Sequence, residues 1–562
     1  MRTRRQTLAE SKAAHNHPAY AKMAFVMGCG VQGPGHGSRV TDERGQSYLA
    51  LFDQYGNQSF GYSHPRITAA LRAQLDSSVL NSTKIMFEEE QIRLTERLAE
   101  LTGNRLPYAY LANGGGETID NALKLARAAT GRPKFVTAAG CFHGKTYATL
   151  SASGRPEHGA VFGPFMDHFT QVAFGDIEAL ADAVDTDTAA VLLEPVQAEA
   201  GVIVPPPDYL ARVRELCTRA GALLIFDEMQ TAFGRCGTFF AHERYGVTPD
   251  LLCIGKAFGG GVVPISAVLG TEAVWGALRT LPSSFGSSLG GNPLSCRAGL
   301  ESIAIASEES FLTGVDERAR VIGERLAAAA ADFPDLIADH RGLGMMHGLE
   351  FHDEALTGLV LGRLLAEGIT STYSLYNTAV LRIQPPMVIP SEDLEHGLAV
   401  LRRILAEVSA DREATRRQDG AVPRPLVRTV RLDRPAKAVL DRLRLTPHLL
   451  DPFAARPDAP AAADPDPEFA GTLGDDTVVW TDRTELHDQG LVLRADPGWL
   501  WARLERSVTV RPVPDTEASQ VEVRVDWDTG SGAYEEMLGG RIAFFAAQRL
   551  TDLITRLEEQ WT

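Results

Sequence analysis

Lys256 lies in "LLCIGKAFGGGVVPISAVLG", directly after the apolar run Leu251 to Ile254 and just before Gly259, Gly260 and Gly261. A lysine is costly to bury, so this one marks either the exposed end of a strand or chemistry that requires an amine there. Asp227 is placed in the same way: in "LLIFDEMQ" it ends four apolar residues, Leu223 to Phe226. A buried carboxylate needs a cation or hydrogen-bond donors, and either Lys256 or a ligand with a basic ring nitrogen would serve. In "LANGGGETIDNALKLAR" a strand runs through Asn113, Gly114, Gly115 and Gly116 into a helix that starts near Glu117. Glycines let the backbone approach an anion closely, and the first N–H groups of a helix bind phosphate. "GCFHGKT" follows the strand-like "KFVTAA" and sets Phe142 beside His143 at a turn.

Each feature alone has a plainer explanation: a structural Lys–Asp pair, a common glycine turn, a core phenylalanine. A lysine, a carboxylate, a phosphate loop and an aromatic platform together describe a site for pyridoxal 5'-phosphate (PLP), provided that one sheet brings the strand ends together. From about residue 105 to 270, short apolar runs such as "YAYLA", "AAVLLEP" and "GALLIFDE" alternate with helical patterns. Strands apolar at every position and separated by helices predict a parallel sheet covered on both faces, with ligands beyond the carboxyl ends of the strands.

With 562 residues the chain exceeds one core, and 44% hydrophobic with 23% charged residues is an ordinary globular composition. A net charge of -17 argues against nucleic-acid or anionic-membrane binding. No apolar run reaches membrane-spanning length and no signal peptide is evident, so the cytoplasm is the expected compartment. Six cysteines without a C-x-x-C pair point to neither disulfides nor a zinc site, and no metal is expected. The polar stretch Ala410 to Gly420, followed by "AVPRPL", reads as a linker. Beyond it "SQVEVRVDWD" alternates, the mark of a half-buried antiparallel strand, and Ala546, Leu550, Leu553, Leu557 and Trp561 fall at helical spacing.

In family order, the motifs "NGGGETIDNALKLAR", "CFHGKT", "LLEPVQAEAG", "LLIFDEMQTAFGRCG", "IGKAFGGGVVPISA" and "FGSSLGGNPLSC" resemble those of the class III aminotransferases, and "VTDERGQSYLALFDQYGNQSFGYSHP" resembles their opening segment. The resemblance spans about residues 20 to 410. It implies an α/β chain of fold type I: residues 1–50 contributing to the small domain, 51–295 forming the large PLP-binding domain with a mostly parallel sheet, and 296–410 the small α+β domain. A linker over 411–424 and a further α+β antiparallel-sheet domain over 425–562, faintly similar to helix-grip domains, would follow.

By the same resemblance Lys256 is the Schiff-base lysine and proton carrier, and Asp227 holds the pyridine nitrogen protonated. Phe142 stacks on one ring face, Met229 lies against the other, and Gln230 reaches the phenolic oxygen. Gly115 and Gly116 give backbone N–H groups to the phosphate, His143 shapes the cofactor turn, and Ser288 reaches the phosphate of the neighbouring subunit in a homodimer with shared sites. Arg382 grips a donor carboxylate, and Glu199 neutralises Arg382 when the second substrate is uncharged. Glu194, Glu228 and Asn292 take structural roles. Two departures stand out: the glycine turn lacks a hydroxyl, and Lys145 replaces an arginine of the ornithine-type members. The implied reaction passes an amino group from a small-molecule donor, L-glutamate first, through the pyridoxamine form (PMP) to an aldehyde or ketone acceptor, in specialised biosynthesis. Aminomutases, racemases and lyases share these motifs and stay open. A non-catalytic binding protein is disfavoured because Lys256 and Asp227 are both present.

Overall fold

The computed structural model describes residues 4–16, 30–153, 155, 161–280 and 285–416, together with five strands between 426 and 528. The chain divides into two compact units, one of Gln32–Thr357 and Leu364–Ser409, the other of Met1–Val31, Gly358–Arg363 and Ala410–Thr562.

The first unit is built on a seven-stranded sheet. Its strands in chain order are β1 (Tyr108–Ala112), β2 (Lys134–Ala138), β3 (Phe169–Val172), β4 (Thr188–Leu193), β5 (Leu223–Asp227), β6 (Leu251–Ile254) and β7 (Ser266–Gly270). In space they run β1-β7-β6-β5-β4-β2-β3. Strands β3, β2, β4, β5 and β6 pair in parallel, and only β7 runs against its neighbours β6 and β1. All six residues of β4 and all four of β6 are buried, which is why these segments read as unbroken apolar runs. Helix Gly115–Thr130 packs Ile119, Ala122, Leu125 and Ala126 into a core shared with Ala190, Leu192, Ile225 and Leu251. Strands β3 and β7 had no strong sequence signal: β3 is only partly buried, and β7 follows the glycine run closely.

Two smaller sheets complete this unit. Strands Gln32–His36, Arg39–Asp42 and Ser47–Ala50 form an antiparallel ladder that takes in Ile369–Thr370 through a parallel pairing of Leu49 with Ile369. Residues 32–50 thus join chain from beyond residue 364. An antiparallel sheet of Ile337–Leu343, Met346–Phe351, Asn377–Ile383 and Thr372–Ser374 carries Arg382, which lies opposite Gly348 and Thr372.

In the second unit helix Arg4–His15 is described, and strands Leu426–Leu432, Ser519–Asp528, Arg503–Pro512, Gly490–Ala495 and Glu485–His487 form an antiparallel sheet in that order. The alternating "SQVEVRVDWD" is its second strand, paired with Leu426–Leu432 and Arg503–Pro512. Helix Ser391–Arg416 continues into the segment read as a linker, because its start, "ADREATRR", has ordinary helix formers and no proline or glycine. The rest of that linker, the proline-rich stretch 454–469 and the C-terminal helical pattern lie outside the described residues. Among the described residues no helix is long and apolar enough to cross a membrane.

Candidate active site

Parallel register brings the candidate residues to one edge of the large sheet. Leu193 pairs with Phe226 and Asp227 with Cys253, so Glu194, Asp227 and the turn that follows Ile254 emerge side by side at the carboxyl ends of β4, β5 and β6. Lys256 opens that turn with φ +50°. A left-handed conformation at a residue with a side chain costs on the order of 1 kcal/mol, a strain characteristic of functional positions.

Burial lowers the pKa of the Lys256 amine, against the attraction of Asp227, Glu199 and Glu194 and with the help of Arg382. The amine forms no ion pair among the described residues, so the structural Lys–Asp pair is not what occupies Asp227. Asp227 Oδ2 instead faces His143 Nδ1 at 2.8 Å, and its Oδ1 accepts the Met229 N–H at 3.1 Å. His143 therefore does more than shape its turn. Burial opposes its charge, but the Cys141 sulfur and the Asp227 carboxylate outweigh burial and hold the imidazole well above its ordinary range. Its Nε2 is buried without a partner among the described residues.

Glu194 accepts the Phe142 N–H at 3.0 Å, and its pKa is pushed up to about 7, first by burial, against the charge of His143, with Asp227 adding to the rise. A raised carboxyl pKa stabilises the fold below the ordinary value of 4.5, and this contribution is lost as pH rises through about 7. Glu194→Gln should therefore gain stability relative to the parent between those limits, by about 1–3 kcal/mol, in chemical denaturation of the cofactor-free protein at pH 5 and pH 8. A difference that does not change with pH would show that Glu194 is ionised throughout. Sequence analysis gave Glu194 only a structural role; the signal that was there is its position after six buried residues, the same pattern that singled out Asp227.

A second cluster adjoins the first. Arg382 is fully buried, donates through Nη1 to Glu199 Oε1 at 2.7 Å and through Nη2 to Gln230 Oε1 at 2.8 Å. Gln230 Nε2 donates to the same Glu199 oxygen at 2.9 Å, and Leu375 N–H donates to the other at 3.1 Å. Despite burial, Arg382 above all holds the Glu199 carboxyl below its ordinary range. The predicted pairing of Glu199 with Arg382 is thus present, with Gln230 bridging it. Glu228 accepts from the backbone of Ala241 and His242 and from the His242 ring, and Asn292 caps helix Pro293–Ala306 through Ser295 N–H, so both take the expected structural parts.

At the end of β1, helix Gly115–Thr130 starts after an extended Gly114 without a side-chain cap. Glu117 accepts the Asn113 N–H at 2.9 Å and fixes the turn. A Cβ on Gly116 would lie 2.9 Å from Thr146 Cγ2, and one on Gly115 would lie 3.3 Å from Met229 Sδ. The space above the helix start is thus walled by Met229 and by Thr146, whose hydroxyl from "GCFHGKT" stands beside a turn that has none of its own. Ser287 accepts from Asn113 Nδ2 at 2.9 Å, while Ser288 is exposed on this chain. The Phe142 ring lies 5.9 Å from Tyr376, and the Arg155 guanidinium covers the other partner at 3.8 Å from the Tyr376 centroid. Neither Tyr376 nor Arg155 carried a motif that would have exposed it.

A glycine-walled helix start, a buried unpaired amine, a buried carboxylate and a half-buried phenylalanine match the phosphate, aldehyde, ring nitrogen and ring face of PLP. The family profile of the class III aminotransferases matches residues 29–405. The chain is a class III aminotransferase. This aminotransferase is 38% identical over 383 residues to a putrescine aminotransferase of Pectobacterium atrosepticum, covering 66% of this chain and 81% of the relative. Among solved structures it resembles the ornithine aminotransferase of Toxoplasma gondii ME49, with a TM-score of 0.66, 28% identity and coverage of 73% of this chain and all of that one. It also resembles a PLP-bound amine transaminase from an uncultivated Pseudomonas species, with a TM-score of 0.62, 25% identity, and 67% and 94% of the two chains covered. The fold is that of the fold type I PLP transaminases, and the enzyme is PLP-dependent.

Proposed function

We propose that this aminotransferase takes an amino group from L-glutamate, passes it to the cofactor, and delivers it to an aldehyde or ketone. The observation that carries this reading is the Arg382–Glu199 pair, fully buried and 2.7 Å apart at the edge of the lysine site. An arginine fork suits a donor carboxylate, and a nearby glutamate suits a second substrate with no charge at that end. The putrescine aminotransferase relative supports a substrate of the second kind. The exposed Lys145, which lacks the planar fork of an arginine, supports an acceptor without a second carboxylate to grip.

PLP, when bound, supplies an electron sink for the carbanion formed as a proton leaves the substrate carbon. In this reading the Lys256 amine, its pKa lowered by burial, would hold the cofactor aldehyde and move that proton. Asp227 holds the ring nitrogen charged, and His143 braces Asp227 from behind. Phe142 and Met229 would flank the ring. Gln230, still linked to Glu199, would give its second Nε2 hydrogen to the phenolic oxygen, and the N–H groups of Gly115 and Gly116 would hold the phosphate.

Ser288 completes a neighbour's phosphate site in a homodimer. Support for the dimer comes from the segment around Ile85 and Phe87, which are 89% and 97% exposed. Lys84 ties that segment to the serine turn by donating to the Gly290 carbonyl at 3.0 Å. The antiparallel sheet after residue 426, beyond the family match, supports a specialised biosynthetic role.

The test is the visible spectrum of the cofactor-loaded enzyme with L-glutamate added. The band of the lysine-linked cofactor should give way to that of PMP, with 2-oxoglutarate released. A band that persists would remove glutamate as donor and favour another amino donor, or an aminomutase, racemase or lyase.

A further inference from the structure

The two amides that meet Arg382 differ in what stands behind them. Nη2 of Arg382 donates to Gln230 Oε1 at 2.8 Å and also to Gln384 Oε1. Gln230 is bonded in turn to Glu199, which itself holds Nη1, so Gln230 and Glu199 form one linked pair. Gln384 faces the other way. Its Nε2 donates to Asp53 Oδ1 at 2.9 Å, and Asp53 Oδ2 accepts from Arg235 at 2.5 Å and from Ser59 at 2.8 Å. Arg235 is fully buried and also donates to the carbonyls of Pro385 and Met345, at 2.8 and 3.1 Å. Asp53, Arg235, Arg382 and Gln384 are all completely excluded from solvent.

We propose that Gln384, anchored by Asp53 and Arg235, is a positioning residue that sets specificity for carboxylate-bearing donors by holding Arg382 in place while Glu199 and Gln230 withdraw together. This deepens the glutamate-donor reading and rests on it. Withdrawal of the linked pair frees one N–H on Nη1 and one on Nη2. Those are the two parallel donors that a carboxylate takes in a fork. Gln384 keeps the remaining N–H of Nη2, so the fork is presented at a fixed angle. Nε of Arg382 is buried without a partner among the described residues.

The chemistry of the anchor also matters. An amide oxygen is a neutral acceptor and leaves the guanidinium charge available to the donor carboxylate, whereas a carboxylate in its place would neutralise that charge permanently. Asp53 serves a second wall of the same site. Its Oδ1 accepts the Gly56 N–H at 2.8 Å and closes a turn in which Gln54, Tyr55 and Gly56 all have positive φ, at 58°, 62° and 90°. That turn sets the Tyr55 ring 5.8 Å from the Arg382 guanidinium carbon, and a Cβ on Gly56 would lie 3.5 Å from Lys256 Cδ.

Gln384→Glu and Gln384→Met, each loaded with cofactor, test the proposal through two readouts: the Kd of glutarate, a dicarboxylate with no amine, by calorimetry, and the half-reactions with L-glutamate and with putrescine. Gln384→Glu should weaken glutarate by about 30-fold or more and depress kcat/KM for glutamate at least about tenfold more than that for putrescine. Gln384→Met should act in the same direction by about five- to tenfold. Equal losses on both donors mean a merely structural role and overturn the proposal, as does an unchanged glutarate Kd or a parent enzyme that does not bind glutarate. Failure of the broader reading looks different: the parent enzyme would then transfer no amino group from L-glutamate.

Discussion

Lys256→Ala should remove turnover almost completely, by about four orders of magnitude or more, because in the proposed function the residue both links the cofactor and carries the proton. The structure explains why no neighbour replaces it. Asp227 is engaged with His143 and Met229, Glu199 with Arg382 and Gln230, and burial, helped by Arg382, leaves the Lys256 amine with its pKa lowered. Because the proposed phosphate site is Gly115, Gly116 and the start of their helix, the variant should still take up PLP without a covalent link. The measurement is the absorption spectrum and PLP content after gel filtration, followed by turnover with L-glutamate. Bound cofactor with no lysine-linked band and no turnover is the expected result. Normal turnover would falsify the assignment of Lys256.

The large sheet was legible because burial on both faces leaves a plain signature. Strands β4, β5 and β6 are apolar at nearly every position, and Glu194 after β4, Asp227 at the end of β5 and Lys256 after β6 interrupt that pattern with polar groups. Physical reasoning stops there at the level of a PLP site, and the ordered motifs supplied the family. What did not show was the wiring. His143 and Asp227 are 84 positions apart, and Gln384 and Asp53 are 331 apart. No local pattern reports which of several buried polar groups will meet. Arg382 was found through its motif, but Gln384, two residues on, reads as an ordinary strand residue until the Asp53 carboxylate is seen behind it. Tyr376 and Arg155 were hidden for the same reason, as a loop aromatic and a loop cation whose stacking depends on the docking of two distant turns.

Asp227→Asn should slow the glutamate half-reaction about a thousandfold while the enzyme keeps its cofactor. Asparagine preserves the size of the side chain and its place after β5 but removes the charge, and with it the reason for a ring nitrogen to stay protonated. The same change acts on His143. Cys141 and Asp227 together raise the imidazole pKa against burial, so loss of the carboxylate removes one of these two supports and its pKa falls. A raised histidine pKa stabilises the fold below the ordinary value of 6.5, and that contribution disappears as pH rises through the folded value. The stability gap between parent and variant should therefore be widest below about pH 6.5 and narrow on the alkaline side. Single-turnover decay of the lysine-linked band and denaturation across pH read the two effects separately. A slow half-reaction with a narrowing gap assigns both roles to Asp227. A normal rate with the same gap would leave Asp227 as the structural partner of His143 and require another group to hold the ring nitrogen.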